Sequence, residues 1–186
     1  MAFQGGWLSS ARRIISPNFD ARPANETVSL IVLHSISLPP EEFGGHHVAA
    51  LFTNTLDGAA HPYFAPLVDT RVSAHFFIRR DGGSIQFVSA EDRAWHAGKS
   101  RWQGRENCND FSIGIELEGS ERQAFTPAQY AALWPLLTLL CARYPIRAIV
   151  GHEHIAPGRK TDPGPHFDWP TLARRFPEQG VIESAG

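Results

Sequence analysis

The stretch Gly151-His152-Glu153-His154-Ile155-Ala156-Pro157-Gly158-Arg159-Lys160-Thr161-Asp162-Pro163-Gly164 sets a histidine, a lysine and an aspartate in the order H-x7-K-x-D. Imidazole and carboxylate are zinc ligands, whereas an ammonium cannot bind a metal and stay charged. A lysine held between two ligands is better placed to act on a substrate at the metal. Pro157, Gly158, Pro163 and Gly164 punctuate the segment as a loop. It reads as half of a metal-dependent active site, with His152 and His154 as rival ligands.

The other half must come from elements elsewhere in the chain. Val28 to His34 is an apolar run that ends in a polar residue, the pattern of a buried central strand delivering His34 at its C-terminal end. Arg147 to Val150 is a second short strand, with His152 just past its end. Catalytic zinc takes three protein ligands and leaves a position for water, and His34, His152 and Asp162 satisfy that count. A bound metal lowers the pKa of its water toward neutrality. Phe111 to Glu118 alternates, with Ile113, Ile115 and Leu117 on one side and Ser112, Gly114, Glu116 and Glu118 on the other. Glu116, on the polar side, could accept the proton of that water. Lys160 could donate to the oxyanion formed as an amide carbonyl is attacked.

The remaining elements frame this constellation. Val48 to Phe52 suggests a short helix and His61 to Phe64 a loop. Ala74–Arg79 and Ser84–Val88 flank Asp81-Gly82-Gly83 as a β-hairpin. Glu91 to Asp110 reads as a long polar loop, and such loops are often functional. Thr126-Pro127-Ala128-Gln129 is a capping box with proline at the first helical position. The helix after it runs to about Tyr144, with a kink expected at Pro135. Asp168 caps a last helix through Leu172 and Phe176. The expected fold is α/β (α+β), a single domain over residues 1–186 with its core at about 28–176, built on a central mixed β-sheet flanked by helices.

Bulk properties narrow the function. The chain has 186 residues, of which 42% are hydrophobic and 19% charged, and a formal net charge of -2. That balance gives no reason to expect nucleic acid or an anionic membrane as partner. No apolar run is long enough to span a bilayer. Cys108 and Cys141 form neither a metal-type pair nor a disulfide framework. Met-Ala-Phe-Gln-Gly-Gly-Trp at the start does not have the pattern of a signal peptide, so a cytoplasmic protein is expected; the chain is further expected to be a monomer.

At its chemistry-bearing residues the chain resembles the zinc-dependent N-acetylmuramoyl-L-alanine amidases of the type-2 superfamily. That superfamily includes T7-type phage lysozyme and the peptidoglycan-recognition proteins. Within it the chain is most similar to the 1,6-anhydro-N-acetylmuramyl-L-alanine amidases of cell-wall recycling. The resemblance covers nearly the whole chain. It runs through Gly6-Trp7-Leu8, Ser35 to Pro40, Glu42-Phe43-Gly44-Gly45, His61-Pro62-Tyr63-Phe64, Arg71 to His75, Arg93 to Gly98, Cys108 to Gly119 and the 151–164 segment. Each segment alone is weak, and together they are specific.

The resemblance implies Zn2+ on His34, His152 and Asp162, with Glu116 and Lys160 as the catalytic pair. It implies an anhydro-muropeptide substrate cut between the lactyl group of 1,6-anhydro-N-acetylmuramic acid and L-alanine, and indirect control of β-lactamase induction. Trp95, Arg71, Tyr63, Ser35 and His96 are the candidate substrate contacts, Arg71 for a stem-peptide carboxylate. Ser35 stands where close family members have asparagine, and Asn107 where they often have arginine. The family spacing favours His152 over His154, which is then expected to face a carboxylate or solvent. Glu118 shares a strand face with Glu116 and reads as a salt-bridged or solvated edge carboxylate. Gly158-Arg159-Lys160-Thr161 has the wrong glycine spacing for a phosphate loop. Two other functions compete: an amidase on intact peptidoglycan and a binding-only module, the second disfavoured because every ligand and catalytic position is filled.

Overall fold

A computed structural model of the protein describes residues 2–181; residue 1 and residues 182–186 of the expected domain lie outside the described residues. Its main sheet is formed by β1 (Arg12–Arg13), β2 (Leu30–Ile36), β3 (Phe76–Ile78), β4 (Ser84–Gln86), β5 (Ser112–Glu118), β6 (Ala148–Gly151) and β7 (Gly180–Val181). The strand order is β7-β6-β2-β5-β3-β4-β1. All neighbours are parallel except the β3–β4 hairpin. The sheet is mixed and the fold α/β, as the sequence predicts.

Helices α1 (His47–Phe52), α2 (Pro127–Arg143), α3 (His152–Ile155) and α4 (Trp169–Arg175) complete the frame. The capping box starts α2: Thr126 Oγ1 accepts the Gln129 N–H at 3.1 Å, and Gln129 Oε1 accepts the Thr126 N–H at 3.0 Å. The helix continues past Pro135 to Arg143. Its Leu133, Leu136, Leu137 and Leu140 pack with Ile31, Leu33, Ile113, Ile115 and Leu117 of the two central strands. Each such side chain contributes about 1.5–3 kcal/mol of burial. Asp168 caps α4 by accepting the Thr171 N–H at 3.0 Å.

The opposite sheet face departs from the sequence expectation. Ser112, Gly114, Glu116 and Glu118 do lie opposite the isoleucines, but every residue of β5 is buried. The cover is the 91–110 segment, which is more ordered than a long polar loop. Arg93–Ala94 pairs with Phe19–Asp20, Arg101–Trp102 with Arg105–Glu106, and Cys108–Asp110 forms a 3-10 turn. Ala97, Cys108 and Phe111 from this region pack on Leu30, Val32, Val150 and Ile155.

Candidate metal centre and active site

β2 and β5 are parallel neighbours, and their register sets His34 beside Glu116. Residues opposite one another in register point to the same sheet face, so both side chains emerge together near the C-terminal strand ends. β6 flanks β2 on the other side and ends at Gly151, which leads directly into His152 at the start of α3. The loop after α3 brings Asp162 back, where its carbonyl accepts the Glu153 N–H at 3.0 Å.

Three donor atoms meet at this point. His34 Nδ1 lies 3.0 Å from His152 Nδ1, and Asp162 Oδ2 lies 3.2 Å from each. Ligands on a tetrahedral zinc at about 2.0–2.1 Å stand roughly 3.3 Å apart, so the triangle has the size of one face of a zinc site. The far nitrogen of His152 meets the Ala97 carbonyl at 3.0 Å. A carbonyl only accepts, so that nitrogen carries the proton and Nδ1 of the neutral ring is a bare lone pair. Burial lowers the pKa of His34 to about 4, aided by His152 and opposed by Asp162. Burial alone would raise Asp162, but contact with His152 and His34 outweighs it and holds the carboxylate below its usual range. Two imidazole nitrogens and one carboxylate oxygen converging on one point are a donor set suited to a divalent cation.

Glu116 is 8% exposed, and its Oε2 has no hydrogen-bond partner among the described residues. Burial first, and then the charge of Asp162, push its pKa well above the usual value, while Lys160 opposes them. It borders a cleft of about 200 Å3 with His34, His152, Lys160 and Asp162. An orphaned carboxyl oxygen beside a metal-sized triangle is positioned to exchange protons with a bound water. Lys160 is exposed and borders this cleft and two adjoining ones.

The N-acetylmuramoyl-L-alanine amidase family matches residues 24–165. The chain belongs to the N-acetylmuramoyl-L-alanine amidase family. It is 58% identical over 171 residues to the 1,6-anhydro-N-acetylmuramyl-L-alanine amidase AmpD of Citrobacter freundii, covering 91% of each chain. A crystal structure of a selenomethionine AmpD derivative superposes with a TM-score of 0.91 at 56% identity, covering 94% of this chain and 99% of that one. AmiD of E. coli, solved with the substrate anhydro-N-acetylmuramic acid-L-Ala-D-gamma-Glu-L-Lys, gives a TM-score of 0.61 at 32% identity, covering 89% of this chain and 63% of that one.

In this amidase two clefts open beside the His34, His152 and Asp162 triangle. One, of about 510 Å3, is bordered by Ser35, Leu38, Leu51, Tyr63, Arg122 and Lys160. The other, of about 200 Å3, is bordered by Arg71, Trp95, Arg159 and Lys160. Ser35 and Tyr63 thus fall on one side of the centre, Arg71 and Trp95 on the other. Arg71 donates to the Val68 carbonyl at 3.0 Å. Asn107 borders a separate cleft of about 400 Å3 beyond Arg159.

The remaining candidates separate cleanly. His154 accepts the Gly151 N–H on Nδ1 at 2.8 Å, and its Nε2 lies 4.0 Å from Glu153. Glu118 is 3% exposed and accepts backbone N–H groups from Gly44 at 2.6 Å and Arg80 at 2.9 Å. Arg79 Nε lies 4.0 Å from it, so of the two expectations the salt-bridged one holds and the solvated one does not. His96 is buried, with its Nδ1 at 2.9 Å from the far nitrogen of His34. Sequence reasoning missed three residues here. The Ala97 carbonyl orients His152, and Asn109 Oδ1 accepts the His96 and Ala97 N–H groups at 3.1 and 2.8 Å. Arg159 Nη2 donates to the Ala97 and Lys99 carbonyls at 2.9 and 2.7 Å. Asn109 and Arg159 are marked in the sequence only by their polarity, and nothing marks Ala97, which acts through its backbone carbonyl.

Proposed function

We propose that the chain is a zinc hydrolase that cleaves the amide between 1,6-anhydro-N-acetylmuramic acid and L-alanine, releasing the anhydro-sugar and the stem peptide. The observation that carries this is the 3.0–3.2 Å triangle of His34, His152 and Asp162 beside the unpaired Glu116 oxygen. The similarity to AmpD over 91% of both chains supports the substrate, as does the substrate seen in AmiD.

His34, His152 and Asp162 would hold the zinc. When bound, zinc supplies Lewis acidity to the water and the carbonyl. Glu116, with its unpaired oxygen facing the cleft, takes the proton of the attacking water and returns it to the leaving amine. Lys160 donates to the oxygen that becomes negative as the carbonyl is attacked. The Arg71–Trp95 cleft, with two further cations at Arg159 and Lys160, suits a stem peptide bearing carboxylates. The larger cleft with Ser35 and Tyr63 then takes the anhydro-sugar. One amidase domain over residues 1–186, acting as a cytoplasmic monomer in cell-wall recycling and so on β-lactamase induction, completes the proposal. No helix among the described residues is long and apolar enough to cross a membrane.

Dialysis against zinc and metal analysis test the ligand set. Wild-type chain is expected to retain one zinc, and Asp162→Ala to lose it. Unchanged metal content in Asp162→Ala would overturn the assignment. Turnover of soluble anhydro-muropeptide is expected to exceed turnover of insoluble sacculus; the reverse would move the substrate to intact peptidoglycan.

A further inference from the structure

The two histidine ligands are held from behind in different ways. The far nitrogen of His152 faces a backbone carbonyl, which fixes its tautomer outright. The far nitrogen of His34 faces another histidine, His96 Nδ1, at 2.9 Å, and His96 Nε2 in turn faces Ser112 Oγ at 3.1 Å. A histidine can accept or donate at that nitrogen. Only if it accepts does His34 carry its proton on Nε2 and leave Nδ1 bare.

The ring of His96 is fixed by more than this contact. Asn109 Oδ1 receives two successive backbone N–H groups, those of His96 and Ala97. Gly114, in the middle of β5, gives the ring its floor: a Cβ there would stand 2.4 Å from His96 Cγ. The His75 ring lies beside it, edge-on with centroids 5.8 Å apart. Ser112 is fully buried, so the inner end of the chain His34–His96–Ser112 is closed to solvent.

We propose that His96 is a positioning residue for the metal centre: it accepts the Nε2–H of His34 and donates its own Nε2–H to Ser112, which keeps His34 Nδ1 free to bind the metal. This rests on the reading of His34, His152 and Asp162 as zinc ligands. Outer hydrogen-bond partners of metal-bound histidine fix ring orientation and raise ligand basicity, and their loss costs roughly 10- to 100-fold in metal affinity.

The test pairs two near-isosteric variants. His96→Asn keeps an acceptor oxygen where Nδ1 stands, and His96→Leu does not. Zinc affinity, measured by competition with a chromophoric chelator, is expected to fall roughly 10- to 100-fold in His96→Leu and to recover most of that loss in His96→Asn. Nitrogen-15 NMR of zinc-loaded wild-type chain is expected to show His96 protonated on Nε2, with Nδ1 bare. A His96 protonated on Nδ1 would overturn the inference, and so would a folded His96→Leu that binds zinc as tightly as wild type. The NMR reading needs no variant to fold. Failure of wild-type chain to take up zinc would overturn both the centre and this inference, whereas normal uptake with the wrong His96 tautomer overturns the inference alone.

Discussion

Glu116 offers its carboxyl to the cleft with one oxygen unpaired, and Gln at that position keeps the shape while removing the proton acceptor. Glu116→Gln is expected to lower turnover by about 10²- to 10⁴-fold with zinc content unchanged; activity near wild type would remove Glu116 from the chemistry. His34, His152, Asp162, Glu116 and Lys160 were all legible in the sequence. His34 ends an apolar run, Glu116 lies on the polar side of an alternating strand, and the loop places two ligands and a lysine within one short segment. The structure brings these five around one cleft. The position of His96 was not legible, because it depends on a ring lying over a glycine and on a partner 62 residues away. No local pattern carries that information.

At the scale of elements, the centre depends on two strands in parallel register and on what covers them. Gly114 lies between Ile113 and Ile115, and in the sequence it reads only as one more residue on the polar side of the alternation. In the structure it is the space into which His96 fits. Gly114→Ala would set a methyl 2.4 Å from His96 Cγ, with its nearest neighbours all atoms of a packed ring. We expect a loss of about 1–3 kcal/mol in urea unfolding of the metal-free chain, with weaker zinc binding as well. Stability and zinc affinity both at wild-type levels would show that the ring is free to move. Strand β5, the hairpin, the α2 cap and the Asp168 cap were legible because each has a local cause in periodicity or turn and cap chemistry. The ordering of 91–110 was not, since its strands are two residues long: one pairs with the distant Phe19–Asp20, and the other two pair with each other across a two-residue turn. The same cover makes the polar side of β5 buried, which alternation alone cannot reveal.

For the molecule as a whole, three neutral histidines sit inside the fold. Burial lowers His34 to about 4, and burial with the Arg22 charge lowers His75 to about 3. Burial and the neighbouring His34 hold His96 well below its ordinary value. Unfolding releases all three toward 6.5, so the unfolded chain binds more protons in acid than the folded one. Stability from these groups is complete above that value and is lost as pH falls toward the folded values. Glu116 acts oppositely: its raised pKa contributes stability in acid that is lost as pH rises through the folded value. The three histidines act in the same direction, so the melting temperature of metal-free chain is expected to fall between pH 6.5 and 4. His75→Asn, which keeps an acceptor for the Gly114 N–H, should lessen that slope. A flat profile would contradict the buried-neutral assignment. The central claim is tested most directly by incubating zinc-loaded chain with anhydro-N-acetylmuramyl-tripeptide and weighing the products by mass spectrometry. Free anhydro-N-acetylmuramic acid and intact tripeptide are the expected result; unchanged substrate, from chain shown to hold zinc, would contradict it.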